Sequence, residues 1–224
     1  TAPVHTPDMV HGRERIAFLI YPGFTALDVF GPHNMLAGLM PERLDLVAAT
    51  REPVRTDTGI SILPTASFAE IEPGLDVLCV PGGTRGTLAA MADPATIAFL
   101  ARQGAAARRV TSVCTDALVL GAAGLLRGYR ATGHWLLRDL LSIFGAEPVN
   151  ARVVTDRNRM TGGGVTAGID FGLALVARMR DPAYARAVQL VAEYDPEPPF
   201  RAGTPATAPA ETVTFITDMF ADFV

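Results

Sequence analysis

The chain has 224 residues, 49% of them hydrophobic, which is enough for one large α/β domain with a sizeable core. Its formal net charge is −4 with no basic run or stripe, so a nucleic-acid binder is excluded, and no apolar stretch approaches the ~20 residues of a transmembrane helix. Residues 1–15 lack the apolar core of a secretory signal, and two cysteines in apolar runs, Cys79 and Cys114, point to a reducing, cytoplasmic setting rather than a disulfide framework.

Residues 1–12 lack periodicity and read as a loose tail; residues 13–224 show no linker or repeat and read as a single domain. Residues 15–21 are a continuous apolar strand, and Pro22-Gly23 turns the chain. Residues 25–39 carry apolar positions at helical spacing, with an interruption predicted at Gly31-Pro32. A second strand covers 44–49, turns and a short hairpin fill 50–74, and a third strand at 75–80 ends in Pro81-Gly82-Gly83-Thr84. Asp93-Pro94, an N-cap followed by Pro in the first turn, introduces a helix over 95–107. Residues 109–114 are β-branched and apolar, and 115–126 read as a buried helix with no turn between the two. A strand-to-helix passage begins at Arg130, and its helix runs through Phe144 and closes at Gly145. A hairpin follows at 152–161 around Asp156-Arg157-Asn158. Gly162-Gly163-Gly164 leads to a helix at 169–179, and Asp181-Pro182 starts another to Tyr194. Residues 195–210 are Pro-rich and irregular, and 211–224 are amphipathic and helical. Apolar strands alternating with helices imply a parallel sheet covered on both faces.

In such sheets functional groups gather at the carboxyl ends of strands. A strand that becomes a helix without a loop must bend sharply at Cys114, which is the geometry of a nucleophile elbow. A helix N-terminus aimed at the thiol favours thiolate; the same run equally describes a buried, inert cysteine. The N–H groups of Gly83 and Thr115 would form an oxyanion-type hole, unless Gly82-Gly83 is an ordinary βα turn. Asp28 stands among apolar neighbours, either as an acid of raised pKa suited to general acid work or as a first-turn acid on a helix. Thr115 would hold water or substrate, or cap its helix. His134 would be a base for Cys114 or a residue packed beside Trp135, and His33 has no independent claim. With neither CxxC nor HExxH present, and Gly162-Gly163-Gly164 lacking a phosphate-loop pattern, no metal or other cofactor is expected.

Several segments together resemble the ThiJ/PfpI superfamily. They are Leu27-Asp28-Val29-Phe30-Gly31-Pro32, Val80-Pro81-Gly82-Gly83-Thr84, Thr111-Ser112-Val113-Cys114-Thr115, and the runs at 118–126, 130–135, 161–171 and 198–203. Within it, the chain looks most like the isonitrile-hydratase branch, because Thr115 stands where protease-like and glyoxalase-like members often carry His. The resemblance implies a flavodoxin-like three-layer αβα sandwich, with a mostly parallel central sheet and a Cys nucleophile elbow. It implies Cys114 as nucleophile, Asp28 as the acid beside it, Thr115 holding the nucleophile region and water, and Gly83 and Thr115 N–H groups stabilising charge. Gly163 would lie in a mobile segment near the pocket. The implied reaction needs no cofactor: a small isonitrile becomes an N-substituted formamide through a covalent thioimidate, in a cytoplasmic homodimer. Other members act on reactive carbonyls as glyoxalases or deglycases, sense redox state, or form the ligand-sensing half of transcription regulators. A regulator would need a helix-turn-helix region after residue ~210, and the sequence stops short of one. Two departures stand out: Asp116 and Gly133 occupy positions where that branch carries Gly and Thr. If Asp116 faces the pocket its charge raises the Cys114 pKa; if it points away it is a helix first-turn acid.

Overall fold

The computed structural model describes residues 11–221. In chain order the regular elements are β1 (Arg15–Leu19), α1 (Ala26–Ala37), β2 (Arg43–Ala48), β3 (Val54–Arg55), β4 (Ser61–Ile62), β5 (Ala66–Ser67), β6 (Val77–Val80), α2 (Thr84–Ala92) and α3 (Pro94–Ala106). They continue with β7 (Arg109–Val113), α4 (Ala117–Ala122), β8 (Arg130–Ala131), β9 (Glu147–Pro148), β10 (Val153–Asp156), β11 (Arg159–Gly162), α5 (Ala167–Met179), α6 (Pro182–Val191) and α7 (Ala210–Met219). The main sheet runs β10-β11-β7-β6-β1-β2-β5. Every neighbouring pair is parallel except β10 with β11, the predicted hairpin. Helices flank the sheet: α1 packs on α5 and α5 on α6, while α2, α3 and α4 pack together. This is the flavodoxin-like arrangement.

The register decides what meets at the carboxyl edge. Phe18 on β1 lies opposite Cys79 on β6, and Cys79 lies opposite Thr111 on β7. Advancing three residues from that row brings Tyr21, Gly82 and Cys114 to one edge. The chain leaves β1 toward β2 and later crosses back to β6 on the other side, so β1 and β6 frame the switch point where open α/β sheets keep their clefts. These strands are buried almost throughout, which is why their sequences are continuously apolar rather than alternating.

Several expectations need correcting. α1 runs unbroken through Pro32, although the ring leaves the Asp28 carbonyl without its helical N–H. Close packing holds it: a Cβ on Gly168 of α5 would come within 2.9 Å of Pro32 Cδ, so ring and glycine fit only as they stand. The helix α2 was not foreseen, because Gly82-Gly83 and Gly86 make its opening resemble a turn. The helix after Cys114 is shorter than expected; a single 3₁₀ turn, Cys114–Asp116, precedes α4, which ends well before residue 126. The strand at 130 is a two-residue piece paired, among the described residues, only with β9, and Arg138–Phe144 is 3₁₀ rather than α. Of the expected tail, residues 1–10 lie outside the described residues, while Gly12 donates to the Met40 carbonyl at 2.8 Å. The predicted final helix is α7, with 222–224 outside the described residues.

Candidate active site

Cys114 has φ +66°, in the left-handed region that a side chain with Cβ avoids. Such a conformation costs of order 1–3 kcal/mol and persists only where surrounding bonds over-determine it. Here both adjoining peptide groups are captured. The Cys114 N–H donates to Gly163 O at 2.8 Å, and the His134 N–H donates to Cys114 O at 2.9 Å. Gly163 is itself tied down, donating to Arg152 O at 2.9 Å. Gly133 brings its Cα close to the same carbonyl, for a Cβ there would sit 3.0 Å from Cys114 O. The elbow is thus clamped from the β10–β11 side.

Asp28 reaches the site from the first turn of α1 and is 1% exposed. Its Oδ2 accepts the Gly82 N–H at 2.7 Å, while Oδ1 is buried with no oxygen or nitrogen partner among the described residues. Burial pushes the carboxyl up to about 7; the Gly82 N–H and the Cys114 thiol restrain the rise, and the charge of Asp57 adds to it. This is an acid that holds its proton near neutrality, as a general acid must.

Gly82, read from the sequence only as half of a Gly82-Gly83 strand end, is where the parts converge. A Cβ there would lie 2.5 Å from Asp28 Oδ2, 2.7 Å from Cys114 Cβ and 2.9 Å from Thr115 N. Gly82→Ala is therefore expected to destabilise the fold by about 1–3 kcal/mol and to push acid and thiol apart. Chemical denaturation alongside Cys114 alkylation rates checks this; wild-type values for both would refute it.

The expected oxyanion pair is not arranged as foreseen. The Gly83 N–H donates to the hydroxyls of Thr87 at 3.0 Å and Thr115 at 3.1 Å, so it points into the protein. The N–H groups of Thr115 and Val165 instead approach the Cys114 sulfur and favour its thiolate. They do not prevail in the free protein. Burial, then the charge of Asp28, pushes the Cys114 thiol well above its ordinary value, against the expectation of a helix-stabilised thiolate.

A cavity of about 220 Å³ opens on Cys114 and Thr115. Leu136, Leu137, Val165 and Phe220 make its wall apolar, none of them foreseen from sequence. Asp57, which accepts from Thr25 Oγ1 at 2.6 Å, and His134 add polar groups; burial lowers the His134 pKa and keeps the ring neutral. His33 packs between the Phe18 and Phe30 rings and lines no part of this cavity. Asp116 does not line it either: fully buried, it turns beneath the elbow toward Tyr21 and Thr87. A larger cavity of about 340 Å³, between α1 and α6, is lined by Met35, Tyr184 and Val188 and carries none of this chemistry.

The sequence model of the DJ-1/PfpI family matches residues 14–178. The chain belongs to the DJ-1/PfpI family. Among its relatives is the isonitrile hydratase of Pseudomonas putida, 50% identical over 199 residues, 89% of this chain and 86% of that one. A ThiJ/PfpI family protein from Pseudomonas syringae has a crystal structure that superposes with a TM-score of 0.94 at 52% identity, covering 100% of this chain and 94% of that one. A DJ-1 superfamily protein from Salmonella typhimurium, solved as a Cys-to-Ala mutant, gives a TM-score of 0.73 at 30% identity, covering 81% and 99%.

Proposed function

We propose that this DJ-1/PfpI protein is an isonitrile hydratase, a hydro-lyase that turns a small isonitrile into an N-substituted formamide without a cofactor. The observation that carries the reading is Cys114, strained and buried where a largely apolar cavity opens on it, with an acid poised near 7 against its thiol behind the cavity wall. Half-identity to the Pseudomonas putida enzyme supports the substrate class.

The chemistry balances with one proton shared by the pair. Cys114 thiolate adds to the isonitrile carbon as Asp28 gives that carbon its proton, leaving a thioimidate, R–N=CH–S–Cys, and an Asp28 carboxylate. The carboxylate then takes a proton from water as hydroxide adds to the same carbon and the second water-derived proton ends on nitrogen. Collapse of the adduct expels Cys114 thiolate and releases R–NH–CHO, with Asp28 protonated again. The Thr115 and Val165 N–H groups steady the sulfur anion at both ends of the cycle, and the apolar wall receives the R group.

The enzyme is further proposed to act in the cytoplasm as a homodimer with no nucleic-acid partner. Exposed Leu190, Val191, Phe200, Phe215 and Met219 give it apolar surface for a second copy.

The test is turnover of a simple aryl isonitrile, with the product followed by NMR. In D₂O the formyl position is expected to carry deuterium, and in ¹⁸O-water the carbonyl is expected to carry the label. Absence of formamide overturns the reading and directs the search to carbonyl substrates.

A further inference from the structure

Asp116 is wholly buried, and its carboxyl stands in a chain of four short oxygen–oxygen contacts. Tyr21 Oη lies 2.8 Å from Pro81 O and 2.7 Å from Asp116 Oδ2. Thr87 Oγ1 lies 2.8 Å from Asp116 Oδ1 and 2.7 Å from Thr115 Oγ1. Two oxygens this close need a proton between them. The hydroxyls of Tyr21, Thr87 and Thr115 supply one each, and the Pro81 carbonyl supplies none. Four contacts therefore outnumber three protons, and Asp116 is the only member left that can carry the fourth.

We infer that Asp116 is held as a neutral carboxylic acid and acts as a positioning residue for Thr115. Every direction in the chain is then forced. Tyr21 must donate to Pro81 O, since the carbonyl cannot donate. Its proton being used, Tyr21 must accept from Asp116 Oδ2. Oδ1, left bare, accepts from Thr87, and Thr87 must accept from Thr115. The Gly83 N–H completes the ring by donating to both threonine hydroxyls. The Thr115 proton is thus committed to Thr87, and since Thr115 lines the cavity beside Cys114, its hydroxyl has only a lone pair to offer there. Resting on the hydratase reading, that lone pair takes a hydrogen of the attacking water and aims its oxygen at the thioimidate carbon.

The surroundings agree with a neutral acid. Burial, followed by the charge of Asp28, disfavours the anion, and only the hydrogen bonds from Tyr21 and Thr87 favour it. The titratable groups acting at this point are Tyr21 from the end of β1, Asp28 from α1 and Cys114 from the same elbow. Ionised Asp116 would also leave Tyr21 and Pro81 facing each other with one proton too few.

The test is linkage. A carboxyl with an unfolded pKa near 3.9 that stays protonated when folded makes the folded state hold one extra proton above that pH, so stability falls as pH rises. Asp116→Asn keeps the pattern, its carbonyl accepting from Thr87 and its amide donating to Tyr21, but does not titrate. The unfolding constant of the wild type, divided by that of D116N, is expected to climb about tenfold per pH unit between pH 5 and 8. Asp28 titrates in both proteins and cancels from the ratio. A flat ratio means Asp116 is ionised in the fold and overturns the inference. Thr87→Val cuts the chain between the acid and Thr115. It is expected to keep the pH slope while lowering kcat about 3–10-fold with little change in KM. An unchanged kcat would overturn the positioning role, and the unfolding measurement stands whether or not isonitriles prove to be the substrate.

Discussion

Cys114→Gly is expected to abolish formamide formation while leaving the protein at least as stable as Cys114→Ala. Loss of an essential nucleophile costs on the order of 10⁵–10⁶ in kcat, so both variants should be silent above background. Their stabilities are the sharper test. In ordinary backbone, replacing Ala by Gly weakens a fold by roughly 0.5–1 kcal/mol through the freedom of the unfolded chain. Cys114 has φ +66°, where Cβ crowds the following carbonyl at a cost of roughly 1–2 kcal/mol. Glycine removes that strain and so offsets its entropic penalty. Denaturant unfolding of the two variants decides the matter, and C114G falling about 1 kcal/mol or more below C114A would mean that the elbow stores no strain. The expected result is a site that keeps an unfavourable backbone because the sulfur must be aimed from it, at the expense of stability.

Much of this is legible in the sequence alone. The elbow could be read because a β-branched run met a helical run with no turn residue between them, so the bend had to fall on Cys114. Asp93 was readable as a cap and Asp181-Pro182 as a helix start; their carboxylates accept the N–H groups of Ala95 and Thr96, and of Tyr184. The hairpin was equally plain, since Arg157 takes φ +52° in the turn its neighbours advertise.

What stayed hidden depends on distant partners. Pro32 should break a helix on local grounds, and it does not because Gly168 admits its ring. Gly82 and Gly83 look alike in sequence, yet one N–H holds Asp28 and the other feeds two threonine hydroxyls. Asp116 looked like either a pocket charge or a first-turn acid. Its actual partners are Tyr21, ninety-five positions earlier, and Thr87 on the unforeseen α2. The thiol is the clearest case. A helix N-terminus argued for thiolate, but burial beside the Asp28 carboxyl outweighs the two N–H groups that reach the sulfur. Local pattern names the groups; burial sets their protonation.

Asp28→Asn is expected to slow formamide formation by about 10²–10⁴, the usual worth of a positioned general acid. The pH behaviour identifies why. In the wild type the first proton leaves the Asp28–Cys114 pair near pH 7, and the second leaves with the thiol well above its ordinary value. These are properties of the pair, not of either residue alone. Between the two steps one proton is shared, and that form alone supplies both thiolate and acid. Wild-type kcat/KM should therefore fall as pH drops through about 7, where a second proton fills the pair. Folding is linked in the matching sense. Because the folded Asp28 pKa lies above its unfolded value, its contribution to stability is full in acid and is lost as pH rises through about 7, a dependence that Asn removes. Asn also removes the charge that opposes ionisation of the sulfur, so thiolate in D28N should appear at lower pH than in the wild type. The pH dependence of Cys114 alkylation follows this, for Cys79, buried and pushed up to about 12, stays out of range. A thiolate transition that stays put or moves to higher pH would separate Asp28 from the sulfur electrostatically. Turnover within tenfold of wild type would remove Asp28 from the role of acid and leave protonation of the isonitrile carbon to another group.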